Sequence, residues 1–182
     1  MKLKSILHKN KFTKNNLYKK NYNKLKKNFF KILKEINLNL NIKKNTYHVL
    51  SKNFNFDFKK NELKRFNKYN TVVIIGMGGS ILGSKAIYDF FKYKIKKKFI
   101  FFDNLDYKKI NRFKKKNNLQ KCLFIIISKS GNTLETLTNL ISFKILKKDA
   151  KNIIIISEKK NNALSIISKK YNLYFIKHKN FI

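Results

Sequence analysis

The sequence predicts an α/β fold: a doubly wound, five-stranded parallel sheet flanked by helices, preceded by a helical N-terminal arm. Three observations support this prediction. Five short apolar runs, rich in β-branched and aromatic residues, occur after residue 70. Segments with a helical spacing of apolar residues separate these runs, an alternation typical of βαβ units. Each run is nearly all apolar, as expected for a parallel strand that is buried on both faces.

Residues 1–69 are predicted to form a Lys- and Asn-rich arm, and residues 70–182 form the sheet domain. In the arm, apolar residues recur at intervals of three and four positions from Tyr22 to Ile36, which predicts one amphipathic helix. The aromatic side chains that follow this helix, including Phe54, Phe56 and Phe58, are interpreted as packing residues without chemistry of their own.

Strands and helices alternate along the predicted domain. Strands are predicted at residues 71–75, 98–102, 122–127, 152–156 and 173–176. Helices are predicted at residues 80–91, 106–116, 133–147 and 162–170. We expect helices on both faces of the sheet, right-handed crossovers between its strands, and ligand-binding loops beyond the carboxyl ends of the strands.

The net charge favours a nucleic-acid partner at first sight. The chain of 182 residues carries 44 Lys and Arg against 9 Asp and Glu, a formal net charge of +35, and such a surface attracts polyanions. Only Arg65 and Arg112 are arginines, however, although bidentate recognition of phosphates and bases favours the planar guanidinium. Because Lys, Asn, Ile and Phe share A/T-rich codons, we interpret the charge as compositional drift and expect no specific nucleic-acid partner.

Metal, disulfide and membrane sites are not expected. The histidines, His8, His48 and His178, are scattered, and Cys122 is the one cysteine; none has a partner at metal-ligand spacing. No apolar stretch approaches the ~18 residues that span a bilayer, and the N-terminus has too short an apolar region for a secretory signal. We therefore expect a cytoplasmic protein with no metal and no membrane partner.

The first candidate site is the loop after the first predicted strand. Three of the five glycines of the chain fall within four residues there, in the string Gly76-Met77-Gly78-Gly79-Ser80-Ile81-Leu82-Gly83. Glycines admit positive φ and a close approach of the backbone to an anion, and Ser80 would begin the next helix with a free hydroxyl. An anion-binding loop and a tight turn with a serine cap both remain open as interpretations.

The second candidate site follows the third predicted strand. Hydroxyls, one glycine, one cation and a helix start are concentrated in the string Ser128-Lys129-Ser130-Gly131-Asn132-Thr133. This set suits a phosphate, because each hydrogen bond to a charged group is worth ~1.5 to 3 kcal/mol and a helix N-terminus favours an anion. The structural alternative is an N-cap at Asn132 with Glu135 closing a capping box. Both interpretations can hold, since they use neighbouring donors.

Two nucleotide-binding patterns fit these loops poorly. A dinucleotide fingerprint that starts at Gly76 would need a glycine where Ile81 stands, although Asp103 lies where a ribose-binding acid could sit. A P-loop would need Lys followed by Ser or Thr, whereas the order here is Ser84 then Lys85. The two loops therefore favour a small phosphorylated sugar as the ligand.

Together, the loops resemble those of the glucose-6-phosphate isomerase family. The resemblance rests on the segments 75–83 and 128–136, extends from Asn70 to the C-terminus, and includes the Asn104-x-Asp106 turn. It implies a fold of the sugar-isomerase (SIS) type for residues 70–182. It also implies isomerisation between glucose 6-phosphate and fructose 6-phosphate, in glycolysis and gluconeogenesis, without a cofactor.

The resemblance assigns the substrate phosphate to both loops. Serine and threonine hydroxyls and nearby amides would bind the phosphate oxygens, a glycine would let the backbone approach, and a lysine would contribute its amide and its charge. The residues at the matching positions are Gly79, Ser80, Ser128, Lys129, Ser130, Gly131 and Thr133.

The resemblance also implies that the catalytic residues are absent. The proton-transferring carboxylate, the ring-opening histidine and the C-terminal lysine of the family lie beyond the fifth strand, and neither Glu135 nor His178 matches their positions. We therefore expect an N-terminal portion of the isomerase that is inactive alone, the full-length family member being a homodimer. The alternative is a free-standing regulatory module that binds sugar phosphates.

Overall fold

The computed structural model describes residues 19–43 and 45–180. The chain divides into two compact units, one ending at Asn55 and the other beginning at Phe56. All five predicted strands and both candidate loops fall in the second unit. Among the described residues, no helix is both long and apolar enough to cross a bilayer.

The first unit contains the predicted amphipathic helix. Helix α1 spans Lys19–Asn39, and the chain continues into a 3-10 helix at Thr46–Leu50. The Asn45 side chain caps the 3-10 helix by accepting a hydrogen bond from Tyr47 N at 3.0 Å. The periodicity of the arm therefore predicted its helix correctly.

The second unit contains the predicted sheet. Its strands, β1 to β5, are Thr71–Gly76, Lys98–Phe102, Cys122–Ile127, Ile153–Ser157 and Tyr174–Lys177. All pairs are parallel, in the order β2-β1-β3-β4-β5. The predicted fold class is confirmed, and the last two strands begin one residue later than expected.

The four longer helices of the second unit follow the prediction with one clear difference, whereas the shorter helices of this unit were not predicted. Helices α2 to α6 span Lys60–Leu63, Gly79–Phe91, Tyr107–Lys116, Leu134–Phe143 and Ala163–Tyr171. Short 3-10 helices lie at Lys64–Phe66 and Leu119–Lys121. Helix α5 ends four residues before the predicted end at 147, because Lys144 adopts a left-handed conformation with φ 55°. The apolar pattern continues past this point because Ile145 is itself buried in the core.

Two apolar cores lie on opposite faces of the sheet, because alternate residues of a strand point to opposite sides. On one face, Val73 and Ile75 of β1 pack with buried residues of α4, α5 and α6. On the other face, Val72 and Ile74 pack with Ile81 of α3 and with the segment that precedes β1. Crossovers on both faces leave the carboxyl ends of the strands open between the layers, and both candidate loops lie there.

The segment before β1 contributes to the second core. Phe66 and Tyr69 are buried, and Phe58 packs against the same core, as expected. Phe56 differs from the predicted packing role, because its side chain is 62% exposed. The predicted boundary between residues 69 and 70 marks the place where the sheet starts, whereas the contacts of residues 56–69 are with the sheet unit.

Candidate functional site

The two candidate loops leave the sheet side by side. Strands β1 and β3 are neighbours, and Gly76 at the end of β1 is paired with Ile127 at the end of β3. From β1 the chain crosses to β2, and from β3 it crosses to β4 on the other side. The two loops therefore diverge from adjacent strands at the switch point of the sheet, the place where open α/β sheets bind ligands.

The pairing also brings the start of α3 close to β3. A Cβ atom on Gly76 would lie 3.0 Å from Ile127 O and 3.5 Å from Ser80 Cβ. A side chain at this position would therefore press on the backbone of β3, while the candidate serine would lie at ordinary van der Waals distance. This approach explains why the first glycine of the loop is needed.

The first loop turns sharply at Gly78. This residue has φ 49° and ψ −126°, a combination that side chains disfavour strongly. Helix α3 starts at Gly79, and Ser80 is half-buried in its first turn. Ser80 N already donates to Met77 O at 3.1 Å, so its hydroxyl is the group of Ser80 that a ligand can engage.

Three hydroxyls converge in the second loop. Ser128 is buried, and its Oγ lies 2.8 Å from Thr133 Oγ1 and 3.4 Å from Ser130 Oγ. Gly131 N donates to Ser128 Oγ at 3.1 Å. Three of the hydroxyls predicted from the sequence are therefore adjacent at the start of α5, within reach of one small anion.

The predicted capping box at the start of α5 is wrong. The N-cap of the helix is Thr133, one residue later than expected, and its side chain makes no capping hydrogen bond. Asn132 faces another partner: its Oδ1 accepts from Ala163 N at 2.8 Å, across 31 positions of the chain. Glu135 is exposed in the first turn. A tertiary partner therefore replaced the local motif that the sequence indicated.

The four longer helices of the sheet unit fall into two pairs by their caps. Helices α4 and α6 are capped by Asp106 and Asn162, each of which accepts a backbone hydrogen bond at 2.8 Å. Helices α3 and α5 have no side-chain cap within the described residues. The first backbone amides of a helix lack partners inside the helix. In α3, Ser80 N and Ile81 N already have backbone acceptors before the helix, so α5 is the uncapped helix that presents first-turn amides to a ligand. Both uncapped helices begin at the switch point.

Charged residues lie in the second loop and beside it, at the end of β4. Lys129 is exposed, while its carbonyl accepts from Glu158 N at 3.1 Å. Glu158 is buried to 7% exposure at the end of β4 and forms an ion pair with Lys160 at 2.5 Å. The hydrogen bond from Lys160 lowers the pKa of Glu158. This carboxylate therefore stays ionised and paired near neutral pH.

A second ion pair lies at the end of β2. Lys85 Nζ donates to Asp103 Oδ2 at 2.9 Å, and this hydrogen bond lowers the pKa of Asp103. The lysine that is misplaced for a P-loop and the acid considered for a ribose thus bind each other. Neither nucleotide pattern gains support from the structure.

Two asparagines near the site were not singled out from the sequence. Asn139 is buried in α5, and its Nδ2 donates to Asn104 O at 2.9 Å, joining α5 to the loop after β2. Asn162 is buried at the start of α6 against Gly131. A polar residue inside an otherwise apolar helical face is the one sequence signal that could have indicated Asn139.

The fold and loops define a doubly wound α/β domain with hydroxyl-bearing, uncapped helix starts at its switch point. A family model described as phosphoglucose isomerase matches residues 36–182. The chain belongs to the phosphoglucose isomerase family.

Individual relatives agree with this assignment. The chain is 39% identical to glucose-6-phosphate isomerase of Borreliella afzelii over 123 residues, which are 61% of this chain and 23% of that protein. It is 45% identical to glucose-6-phosphate isomerase of Methanocaldococcus jannaschii over 96 residues, 51% of this chain and 22% of that protein. The chain thus spans about a quarter of the length of these curated relatives.

Solved structures share the fold. A crystal structure of a glucose-6-phosphate isomerase from Chlamydia trachomatis matches with a TM-score of 0.55 and 27% identity, over 66% of this chain and 24% of that chain. A hypothetical protein from Thermus thermophilus matches with a TM-score of 0.59 and 26% identity, over 67% of this chain and 32% of that chain.

Proposed function

We propose that this chain binds the phosphate of glucose 6-phosphate or fructose 6-phosphate between β1 and β3, as the phosphate-binding part of a glucose-6-phosphate isomerase. The observation that carries the proposal is the start of α5. There the hydroxyls of Ser128, Ser130 and Thr133 meet beside a helix terminus without a side-chain cap. The proposal includes a cytoplasmic role in glycolysis and gluconeogenesis and, for the full-length protein, a homodimer.

The chemistry of this arrangement suits a phosphate monoester. Such a group carries roughly two negative charges and three acceptor oxygens at neutral pH. Hydroxyl donors at Ser128 and Thr133 would bind two of the oxygens, and first-turn amides of α5 would face the charge. Lys129, exposed at the same turn, adds a positive charge that increases the local concentration of anions.

The first loop would complete the site from the end of the neighbouring strand, β1. Gly79 has open space where a Cβ would lie, so its backbone can approach an oxygen closely. Ser80 follows in the first turn of α3 with its hydroxyl available. The anchored phosphate would orient the sugar, so that binding energy from an unreactive group positions the reacting carbons.

We assign no catalytic base to the described residues. Glu158 is the buried carboxylate nearest the second loop along the chain, and the hydrogen bond from Lys160 lowers its pKa. A carboxylate with a lowered pKa is a weak proton acceptor. We therefore propose that this chain supplies phosphate binding and that the proton transfer uses groups outside it.

Calorimetric titration tests this function. The 182-residue chain should bind glucose 6-phosphate and fructose 6-phosphate and should not bind glucose, which lacks the phosphate. A coupled assay with fructose 6-phosphate should show no turnover above the uncatalysed rate. Equal heats for glucose and glucose 6-phosphate would contradict phosphate recognition, and turnover at the rate of full-length isomerases would contradict the absence of a base.

A further inference from the structure

We infer that Asn162 is a positioning residue that holds the loop after β3 in its ligand-binding shape. The inference rests on the proposed phosphate site, which it deepens. Asn162 belongs to neither candidate loop and is separated from Thr133 by the whole of α5 and β4. Its role follows from three sets of contacts at the start of α6.

The carboxamide of Asn162 is held at both ends. The side chain is 3% exposed. Its Oδ1 accepts from Ser165 N at 2.8 Å, and its Nδ2 donates to Glu158 O at 3.0 Å and to Ser157 Oγ at 3.4 Å. A buried amide with donors and acceptor engaged in this way has one orientation, because any rotation would leave polar groups unpaired.

Gly131 packs directly on this fixed carboxamide. A Cβ atom on Gly131 would overlap the Asn162 side chain, with Nδ2 only 2.6 Å away. Gly131 also has φ 73°, a conformation in which side chains are strained. Because Gly131 N donates to Ser128 Oγ at 3.1 Å, the position of Gly131 fixes the hydroxyl that anchors the proposed phosphate site.

The loop binds α6 in return. Gly131 O accepts from Leu164 N at 3.1 Å, and Asn132 Oδ1 accepts from Ala163 N at 2.8 Å. With Ser165 N bonded to Asn162, the first three amides of α6 all have protein partners. The N-terminus of α6 is therefore used to support the loop, whereas the N-terminus of α5 is left for a ligand.

This support has a consequence for affinity. A loop that already has its bound shape does not have to be ordered when the ligand arrives, so less of the interaction energy is lost on binding. Without Asn162, Gly131 would lose the surface against which it packs. The hydroxyls of Ser128 and Thr133 would then spread over several arrangements.

The test uses Asn162→Ser in the full chain. Serine keeps an oxygen that can cap α6 but removes the carboxamide beside Gly131. We expect faster amide hydrogen exchange in residues 128–133 without ligand, and ~10-fold weaker binding of glucose 6-phosphate, as for other residues that orient a ligand-binding group. Asn118→Ala, which removes a similar cap from the Leu119–Lys121 turn, should change neither measurement.

Each outcome decides something different. Unchanged exchange in residues 128–133 of Asn162→Ser would overturn the inference, whatever the ligand does. Faster exchange with unchanged affinity would also overturn it, because the loop shape would then be irrelevant to binding. If the parent chain binds no sugar phosphate while exchange in the variant is faster, the proposed function fails and the control of the loop by Asn162 stands.

A double variant gives a second, purely structural test. Gly131→Ala places a methyl group in the space that Asn162 occupies, and Asn162→Ser opens that space. We expect Gly131→Ala to destabilise the Asn162→Ser background less than it destabilises the parent. Strictly additive losses in urea unfolding would show that the two residues do not pack on each other, and would overturn the inference.

Discussion

Ser128 Oγ lies 2.8 Å from Thr133 Oγ1, so that the residue directly after β3 contacts the N-cap residue of α5. Ser128 is 2% exposed, so this hydroxyl pair lies at the base of the loop and not on its outer rim. The contact between the two hydroxyls is a hydrogen bond between neutral groups. A phosphate would replace that weak neutral contact with two charge-assisted hydrogen bonds.

Removing both hydroxyls should weaken sugar-phosphate binding. Hydrogen bonds to charged groups contribute about 1.5 to 3 kcal/mol each, so we expect the affinity of Ser128→Ala, Thr133→Ala for glucose 6-phosphate to fall at least ~10-fold. Titration calorimetry measures this change. Thr138→Ala, on the exposed side of α5, is the matched control, and equal affinities for parent and double variant would remove the second loop from the site.

Alanine substitutions at one glycine of the first loop and one glycine of α3 should change the free energy of unfolding in opposite directions. Gly78 has φ 49°, so Gly78→Ala should destabilise the fold by about 1 to 3 kcal/mol through backbone strain. Gly83 lies inside α3 with open space at its Cβ. Gly83→Ala should therefore stabilise by roughly 0.5 to 1 kcal/mol. Urea unfolding measures both changes, and a Gly78→Ala variant as stable as the parent would argue against the positive φ of Gly78.

The aromatic cluster formed by Phe143 of α5 with Phe102, Phe113 and Phe124 should contribute strongly to the stability of the sheet unit. Phe143 is fully buried, with its ring 4.9 Å from Phe102 and 5.2 Å from Phe124. We expect Phe143→Ala to lower the free energy of unfolding by about 3 to 5 kcal/mol. Phe90, 69% exposed on α3, gives the matched control. A similar loss for Phe90→Ala would mean that a partner covers this side chain in solution.

The ion pair between Lys85 and Asp103 should make stability depend on pH on the acid side. The hydrogen bond from Lys85 lowers the pKa of Asp103 from its ordinary value of 3.8. The folded state therefore gains from this pair above that value and loses the gain as the pH falls through the lower, folded pKa.

Asp103→Asn tests this pH dependence. The variant should be less stable than the parent at pH 7 in thermal unfolding, and the two should converge as the pH falls from 3.8 through the lower, folded pKa of Asp103. Lys85→Met removes the other partner and should show the same convergence. A difference that persists unchanged at low pH would mean that the pair does not titrate as a unit.

Much of the architecture could be predicted because its causes are local. The strand cores at Val73, Phe124 and Ile155 lie in uninterrupted apolar runs, and the structure buries each of them completely. Helix starts were predicted to within about one residue, because caps such as Asp106 lie next to the turn that they satisfy. The end of α5 was missed, since Ile145 continues the apolar pattern after the helix has stopped.

The sequence by itself determined the order of strands and helices and the composition of the two loops, because periodicity, glycine content and hydroxyl content are properties of short segments. Only the tertiary structure decided which loops meet and which polar groups are already occupied. Asn132 accepts a hydrogen bond from the first residue of α6 instead of capping α5, and Asn162 packs on Gly131, in both cases across 31 positions of the chain. Such partners depend on how crossovers place distant segments side by side, and no local pattern encodes that placement.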